Sequence, residues 1–252
     1  MHLWGQPAFD YFRSIRRLVR PLPTITTLLH QSSCLAPGIA TTKKPGLSRS
    51  DFLAELALSD DSILIAVAGP LTRSQCIDEA IWDFELVRTL DENVRLLIFG
   101  DGPDRHRFER FARLTSEPSA IRFLGYRADF RELLGHANLF WHTAVADKAL
   151  PLTVLEAMAA GVPVVANMAS GCQQVIKRGI DDGENGYLVP NNDRALFARY
   201  TRRILQDAQH AEQISCSAAQ TIAERFSVEA MTRAYAKRYA ELLESRVKAS
   251  GR

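Results

Sequence analysis

Glu156 is the one charged residue between positions 150 and 166, and it stands among Leu152, Val154, Leu155, Ala157 and Met158 in a stretch of helical periodicity. A carboxylate inside so apolar a helix is costly unless it caps or binds something. A proline-bearing loop, Ala149-Leu150-Pro151, leads into the helix, and Gly161 ends it. The first turn, at Leu152 and Thr153, presents N–H groups that suit an anion. Together these features fit a nucleotide sugar: amides hold the diphosphate, and Glu156 accepts hydrogen bonds from ribose hydroxyls. The competing reading is a structural carboxylate on a partly exposed helix face.

A second candidate is the turn Gly100-Asp101-Gly102-Pro103-Asp104-Arg105, which starts like G-x-G-x-x-G. The third glycine of that pattern permits close helix–strand packing beneath a pyrophosphate. Arg105 occupies its position, which argues against NAD or FAD. A tight turn with Pro103 at the first helical position is expected instead. No G-x-x-x-x-G-K-[ST] loop occurs. His142, followed by Thr143, ends an apolar run, and a structural hydrogen bond is expected for it in place of a general-base role. Cys34, Cys76, Cys172 and Cys216 lie far apart with no C-x-x-C pair, so no metal or redox site is assigned.

The elements that must position these residues alternate from about position 62 onward. Residues 63–68, 95–99, 121–124, 139–142, 162–166 and 187–189 read as strands; 78–90, 104–114, 129–136 and 152–160 read as helices. Such alternation predicts an α/β fold with a doubly wound, parallel, Rossmann-like sheet. Ligands then lie at the carboxyl ends of the strands. That rule selects the loops at 69–77, 100–104, 125–129, 143–152 and 167–174. Stretches 193–206, 211–225 and 228–247 form a helical C-terminal extension, with Asn192-Asp193 and Ser227 as N-caps.

Composition sets the outer bounds. The 252 residues are 46% hydrophobic and 24% charged, which excludes disordered, collagenous and disulfide-miniprotein classes. Lys+Arg 31 against Asp+Glu 29 gives a net charge of +2, with no global basic field for nucleic acid. Apolar runs reach about seven residues where a membrane span needs roughly 20. Near the N-terminus, Phe9, Phe12, Ile15, Leu18 and Val19 recur at near-helical spacing among Arg13, Arg16, Arg17 and Arg20, until Pro21 and Pro23. Two readings stay open: an apolar face packed on the domain, or a basic amphipathic helix touching anionic lipid or a partner. Residues 35–44, containing Pro37-Gly38, read as a linker. Scattered thiols fit the reducing cytoplasm, with peripheral membrane contact through the basic helix.

Five segments in register carry a family resemblance. They are Ala68-Gly69-Pro70-Leu71, Leu97-Ile98-Phe99-Gly100-Asp101-Gly102-Pro103, Ile121-Arg122-Phe123-Leu124-Gly125-Tyr126, Leu155-Glu156-Ala157-Met158-Ala159-Ala160-Gly161, and Asn185-Gly186-Tyr187-Leu188-Val189-Pro190. Ala36-Pro37-Gly38-Ile39 is similar to the segment that joins the two domains of such enzymes. From about position 62 to 243 the chain resembles the C-terminal, donor-binding domain of GT-B-fold glycosyltransferases of family 4, the glycosyl transferases group 1 type. The resemblance implies retaining transfer of a hexose-like sugar from a nucleotide sugar, with no separate cofactor and no metal. It places Gly69, Arg73, Tyr126, Lys148, Leu150, Pro151, Leu152, Thr153, Glu156 and Gly171 around the donor.

The sequence also departs from that family's pattern. The family's earlier donor-site glutamate falls at Lys148, which cannot accept sugar hydrogen bonds; Asp147 is the nearest carboxylate. The cations after the first strand fall at Pro70 and Gln75, and the glycine after the second at Cys76, leaving Arg73 off register. The family's Gly-Gly and Pro-Glu pairs become Ser170-Gly171 and Gln173-Gln174. The domain reading is residues 1–45 as remnant and linker of a mostly missing acceptor domain, 46–247 as the donor domain, and 248–252 as tail. Those 45 residues are too few for another α/β domain of about 100 residues or more. The expectation is a truncated or donor-domain-only glycosyltransferase, with a separate acceptor-domain chain as a partner. A catalytically inactive, glycosyltransferase-like binding module is the alternative.

Overall fold

Strand residues in this chain bury both of their faces, which is why they read as continuous apolar runs. The computed structural model describes residues 36–40, 46–145, 150–169, 171–176 and 183–250, with side chains as far as 244. These residues belong to one compact unit. The candidate N-terminal amphipathic helix, Asp147, Lys148, Ala149 and Ser170 lie outside the described residues.

Six parallel strands form one sheet in the order β3-β2-β1-β4-β5-β6: β1 (Ile63–Ala68), β2 (Val94–Phe99), β3 (Ile121–Gly125), β4 (Leu139–His142), β5 (Val164–Asn167) and β6 (Tyr187–Val189). The expected α/β, doubly wound, parallel fold is therefore present. Strand order reverses direction between β1 and β4, and the crevice of such a sheet opens there. Alternate residues define the two cores. Leu64, Ala66, Phe140 and Val164 meet α1 (Arg49–Glu55), α4 (Phe130–Leu134), α5 (Leu152–Ala159) and α7 (Ala208–Arg225). On the opposite face, Ile65, Val67, Leu96 and Trp141 meet α2 (Ile77–Arg88), α3 (Arg105–Thr115) and α6 (Arg194–Gln206). Trp141 satisfies its buried indole by donating Nε1–H to Thr201 Oγ1 at 3.0 Å.

Helix ends follow local chemistry. Asp193 caps α6 by accepting from the Leu196 amide at 3.0 Å, and Ser227 accepts from Ala230 at 3.1 Å to start α8 (Val228–Ser250). α8 continues through residues 248–250, which were read as tail. Gly161, at φ +72°, ends α5, and the Val162 amide turns back to the Ala157 carbonyl at 3.0 Å. β5 therefore begins at Val164, after the turn, and not at 162. Pro103 was expected to be the first residue of a helix. In fact α3 starts at Arg105 with Asp104 at its N-cap, because Gly102 approaches Leu71 and the Asp104 amide donates to the Leu71 carbonyl at 3.1 Å.

Two elements had no strong sequence signal. α1 has seven residues, too few for a periodic pattern, and is started by Ser48, whose hydroxyl accepts from the Asp51 amide. Part of the linker stretch also packs on the domain. Ile39 is buried, donates its amide to the Phe226 carbonyl at 2.6 Å and forms a bridge with Ser227.

Candidate functional site at the carboxyl ends of the strands

Gly69, Gly100, Gly125, Thr143 and Asn167 mark where β1 to β5 leave the sheet on its carboxyl edge. The loops there are stitched by backbone. Gly69 N–H donates to Phe99 O at 3.1 Å, Leu71 N–H to Asp101 O at 2.9 Å, and Gly100 N–H to Gly125 O at 2.7 Å. Gly100 has φ +116°, and a Cβ there would stand 2.0 Å from the Gly69 carbonyl oxygen. A Cβ on Gly102 would stand 2.5 Å from the Leu71 carbonyl oxygen. The Gly-x-Gly turn thus serves close approach of two loops, consistent with the absence of its third glycine.

Arg73 lies in a short 3-10 turn, Arg73–Gln75, with its side chain 79% exposed. Its amide donates to Asp104 Oδ2 at 3.1 Å, and its guanidinium approaches Asp104 Oδ1 at 3.7 Å. Gln75 stands where the resemblance placed a cation. Its side chain folds back over Gly69, with Oε1 3.0 Å from where a Gly69 Cβ would be. The Gln75 carbonyl accepts from Thr143 Oγ1 at 3.0 Å, and Asn167 Nδ2 donates to Thr143 O at 2.7 Å. This chain of contacts ties the ends of β1, β4 and β5 together. His142 beside it is buried at the end of β4.

Across the crevice, α5 starts at Leu152 behind Pro151, and no side chain caps it. Val154, Leu155, Ala157 and Met158 are buried to 0% exposure, whereas the Glu156 side chain keeps 12%. Glu156 is not solitary. Arg131 of α4 donates Nε–H to its Oε1 at 2.7 Å, and Nη2 of the same guanidinium lies 2.7 Å from that oxygen as an ion pair. Arg131 was not among the sequence candidates. A carboxylate among apolar neighbours calls for a cation, but nothing local identifies one 25 positions away.

α4 is itself held. Arg127 grips Asp129 through Nε to Oδ1 and Nη2 to Oδ2, both 2.8 Å, and reaches Glu55 at 2.5 Å. The Arg127 hydrogen bond keeps the Asp129 carboxyl below the usual range, against the opposing effect of burial. Tyr126, between this clamp and β3, is 83% exposed. Leu150 packs against the core beneath α5. Gly171 is buried and starts the turn Cys172–Gln174.

The structure therefore places Gly69, Arg73, Tyr126, Leu150, Pro151 and Gly171 in loops or turns and Leu152 and Thr153 at a helix start beyond the carboxyl edge, with Glu156 one turn further along that helix. Among the described residues, no group of three or more His, Cys, Asp or Glu side chains is arranged to hold a metal ion, and no helix is long and apolar enough to cross a membrane. A cavity of about 330 Å³ lies elsewhere, between α2 and α3, lined by Trp82, Phe111 and Arg194 among others, and shares none of the nominated residues.

Comparison with known proteins places this geometry. The sequence profile described as "Glycosyl transferases group 1" matches residues 48–221. The lipopolysaccharide core biosynthesis glycosyltransferase LpsE of Rhizobium meliloti is 31% identical over 142 residues, covering 56% of this chain and 40% of LpsE. The structure of Anabaena Alr3699/HepE in complex with UDP superposes with TM-score 0.72 at 21% identity, covering 81% of this chain and 56% of that one. The C-terminal domain of a glycosyl transferase group 1 family protein, LpcC, from Francisella tularensis is matched over its whole length and 76% of this chain, with TM-score 0.63 at 17% identity. The chain spans under half the length of the curated relatives it matches.

Proposed function

Because the chain belongs to the glycosyl transferases group 1 family, we propose that it supplies the donor-binding half of a nucleotide-sugar-dependent glycosyltransferase. The observation that carries this reading is Glu156, held one turn into a crevice-facing helix beside the point where strand order reverses. In this reading Glu156 accepts hydrogen bonds from the ribose hydroxyls. The first amides of α5, at Leu152 and Thr153, take the diphosphate with the help of the helix dipole. Gly69 lets the diphosphate approach the backbone at the end of β1, Tyr126 flanks the base, and Leu150, Pro151 and Gly171 shape the walls. Arg73 and Lys148 are the cations this reading assigns to the diphosphate.

The proposed reaction is retaining, family-4-type transfer of a hexose-like sugar to an acceptor, with no metal and no organic cofactor. Negative charge grows on the leaving diphosphate as the glycosidic bond breaks, so amides and cations aimed at that oxygen lower the barrier. The acceptor enters from a domain supplied by a second chain or by a longer form of this one. The work is placed in the cytoplasm, at the membrane surface where residues 9–20 meet lipid.

Calorimetric titration with UDP, GDP and ADP tests the reading. At least one should bind, and Glu156→Ala should weaken it by about 10- to 100-fold, the loss of hydrogen bonds to a charged acceptor. No binding at millimolar ligand would remove the proposal.

A second reading, a catalytically inactive binding module, is favoured by Gln75 lying over Gly69 and by Arg73 engaged with Asp104. It keeps the nucleotide and drops the chemistry. Donor hydrolysis or transfer by the purified chain, abolished by Glu156→Ala, would exclude it, and the anomeric configuration of the product, read by NMR, would test retention.

A further inference from the structure

We propose that Arg131 is a positioning residue that presets Glu156 for the ribose of a bound nucleotide, an inference that rests on the donor-site reading above. Both Arg131 contacts fall on one carboxylate oxygen: Nε–H donates to Oε1 at 2.7 Å, and Nη2 lies 2.7 Å from the same oxygen as an ion pair. The pair is not the fork-on-fork arrangement that would engage both oxygens of the carboxylate. Among the described residues none donates to Oε2, which is the acceptor offered to ribose hydroxyls.

The contact is poorly suited to a purely structural role. Arg131 is 53% exposed, and ion pairs at such positions add little to folding. It is well suited to orientation. A glutamate side chain has several freely rotating torsions, and one hydrogen bond and an ion pair from a neighbouring helix restrict them before ligand arrives. The helix that supplies them is itself fixed. α4 packs on α5, and the preceding turn is clamped by Arg127 on Asp129 and Glu55. Clamp, short helix and carboxylate form one series from the end of β3 to the crevice.

The test compares ribose with hydroxyl-free sugar. The dissociation constants of UDP, GDP and ADP, and of the 2′,3′-dideoxy form of whichever binds, are measured by calorimetry for wild type, Arg131→Ala, Arg131→Lys and Glu156→Gln. Arg131→Ala should weaken the ribonucleotide about five- to tenfold and change the dideoxy ligand less than about twofold. Arg131→Lys should recover part of the loss, and in the Glu156→Gln background Arg131→Ala should have no further effect. Thermal melting of the Arg131 variants should stay within about 2 °C of wild type, confirming the fold. Equal weakening of both ligands, unchanged binding, or tighter binding of the ribonucleotide by Arg131→Ala would overturn the positioning role alone. Failure of wild type to bind any of the three diphosphates, or to distinguish ribose from its dideoxy form, would instead remove the donor-site reading beneath it.

Discussion

The two sides of the crevice are built by different means. The side formed by the loops after β1 and β2 is held largely by main chain: Gly69 on Phe99, Leu71 on Asp101, Asp104 on Leu71, with Gly100 and Gly102 allowing the approach, and the Thr143 and Asp104 side chains hydrogen-bonding to backbone groups there. The side formed by α4 and α5 is held by side chains: Arg127 on Asp129 and Glu55, then Arg131 on Glu156. Backbone bonds are indifferent to side-chain identity. The first side therefore keeps its shape although Pro70 and Gln75 stand where the family resemblance placed cations. The second side packs through buried Leu133, Leu134, Val154 and Leu155, but the orientation of its polar rim resides in a few guanidinium and carboxylate groups.

The largest expected effect breaks the main-chain side. In Gly100→Ala the new Cβ meets the Gly69 carbonyl, placed 2.0 Å away, from a φ of +116°. Neither can yield without opening the β1 and β2 loops. A loss of about 4 kcal/mol or more is expected, measured as the urea midpoint at constant m. A loss below about 1 kcal/mol, the ordinary cost of a neutral substitution, would show that these loops move freely and that the contrast is false.

The helix that follows the main-chain side carries a buried acid. Asp83 of α2 is 4% exposed, and its pKa is raised from 3.8 to about 7, chiefly by burial, which outweighs the lowering by Arg194 of α6, with a smaller upward push from Glu79. Arg194 also pairs with Glu79. Between about pH 4 and pH 7 the folded chain holds a proton that the unfolded chain has lost. Asp83 therefore lowers stability as pH rises through that window, by about 1.4 kcal/mol per unit at most, and adds no slope above it. Asp83→Asn should remove this slope, so that its stability relative to wild type improves by roughly 3 kcal/mol from pH 5 to pH 8. Parallel curves in chemical denaturation would show that Asp83 ionises normally.

Much of the framework was legible because it is written in local chemistry. The run at 63–68 is apolar at every position, and its residues divide between the two cores as a doubly covered strand must. Asp193 and Ser227 announced their helix starts, and Gly161 its helix end. Glu156 was legible as an anomaly, one carboxylate in an apolar helix. Its partner was not, since Arg131 sits in a five-residue helix too short for periodicity and meets Glu156 only through tertiary packing. The Gly100–Gly102 turn was ambiguous for a similar reason. A glycine that cradles a ligand and one that admits another backbone look alike until the neighbouring loop is placed.

The smallest expected effect sharpens the contrast from the phosphate end. If the main chain alone shapes that side, charge can be returned to it without rebuilding it. Gln75 already folds over Gly69, so Gln75→Lys puts an ammonium on a longer stem close to the β1 terminus. A cation added near a diphosphate in a partly solvated crevice contributes about 1 kcal/mol, or roughly fivefold in affinity. Arg73→Ala provides the complement: its side chain is 79% exposed and faces Asp104, so its loss should change diphosphate affinity by less than about twofold. Calorimetry at two salt concentrations reads both, with the gain in Gln75→Lys shrinking as salt rises. Should Arg73→Ala abolish binding while Gln75→Lys does nothing, the off-register arginine is the cation of the site. The main-chain side would then depend on a side chain as fully as the Glu156 side does.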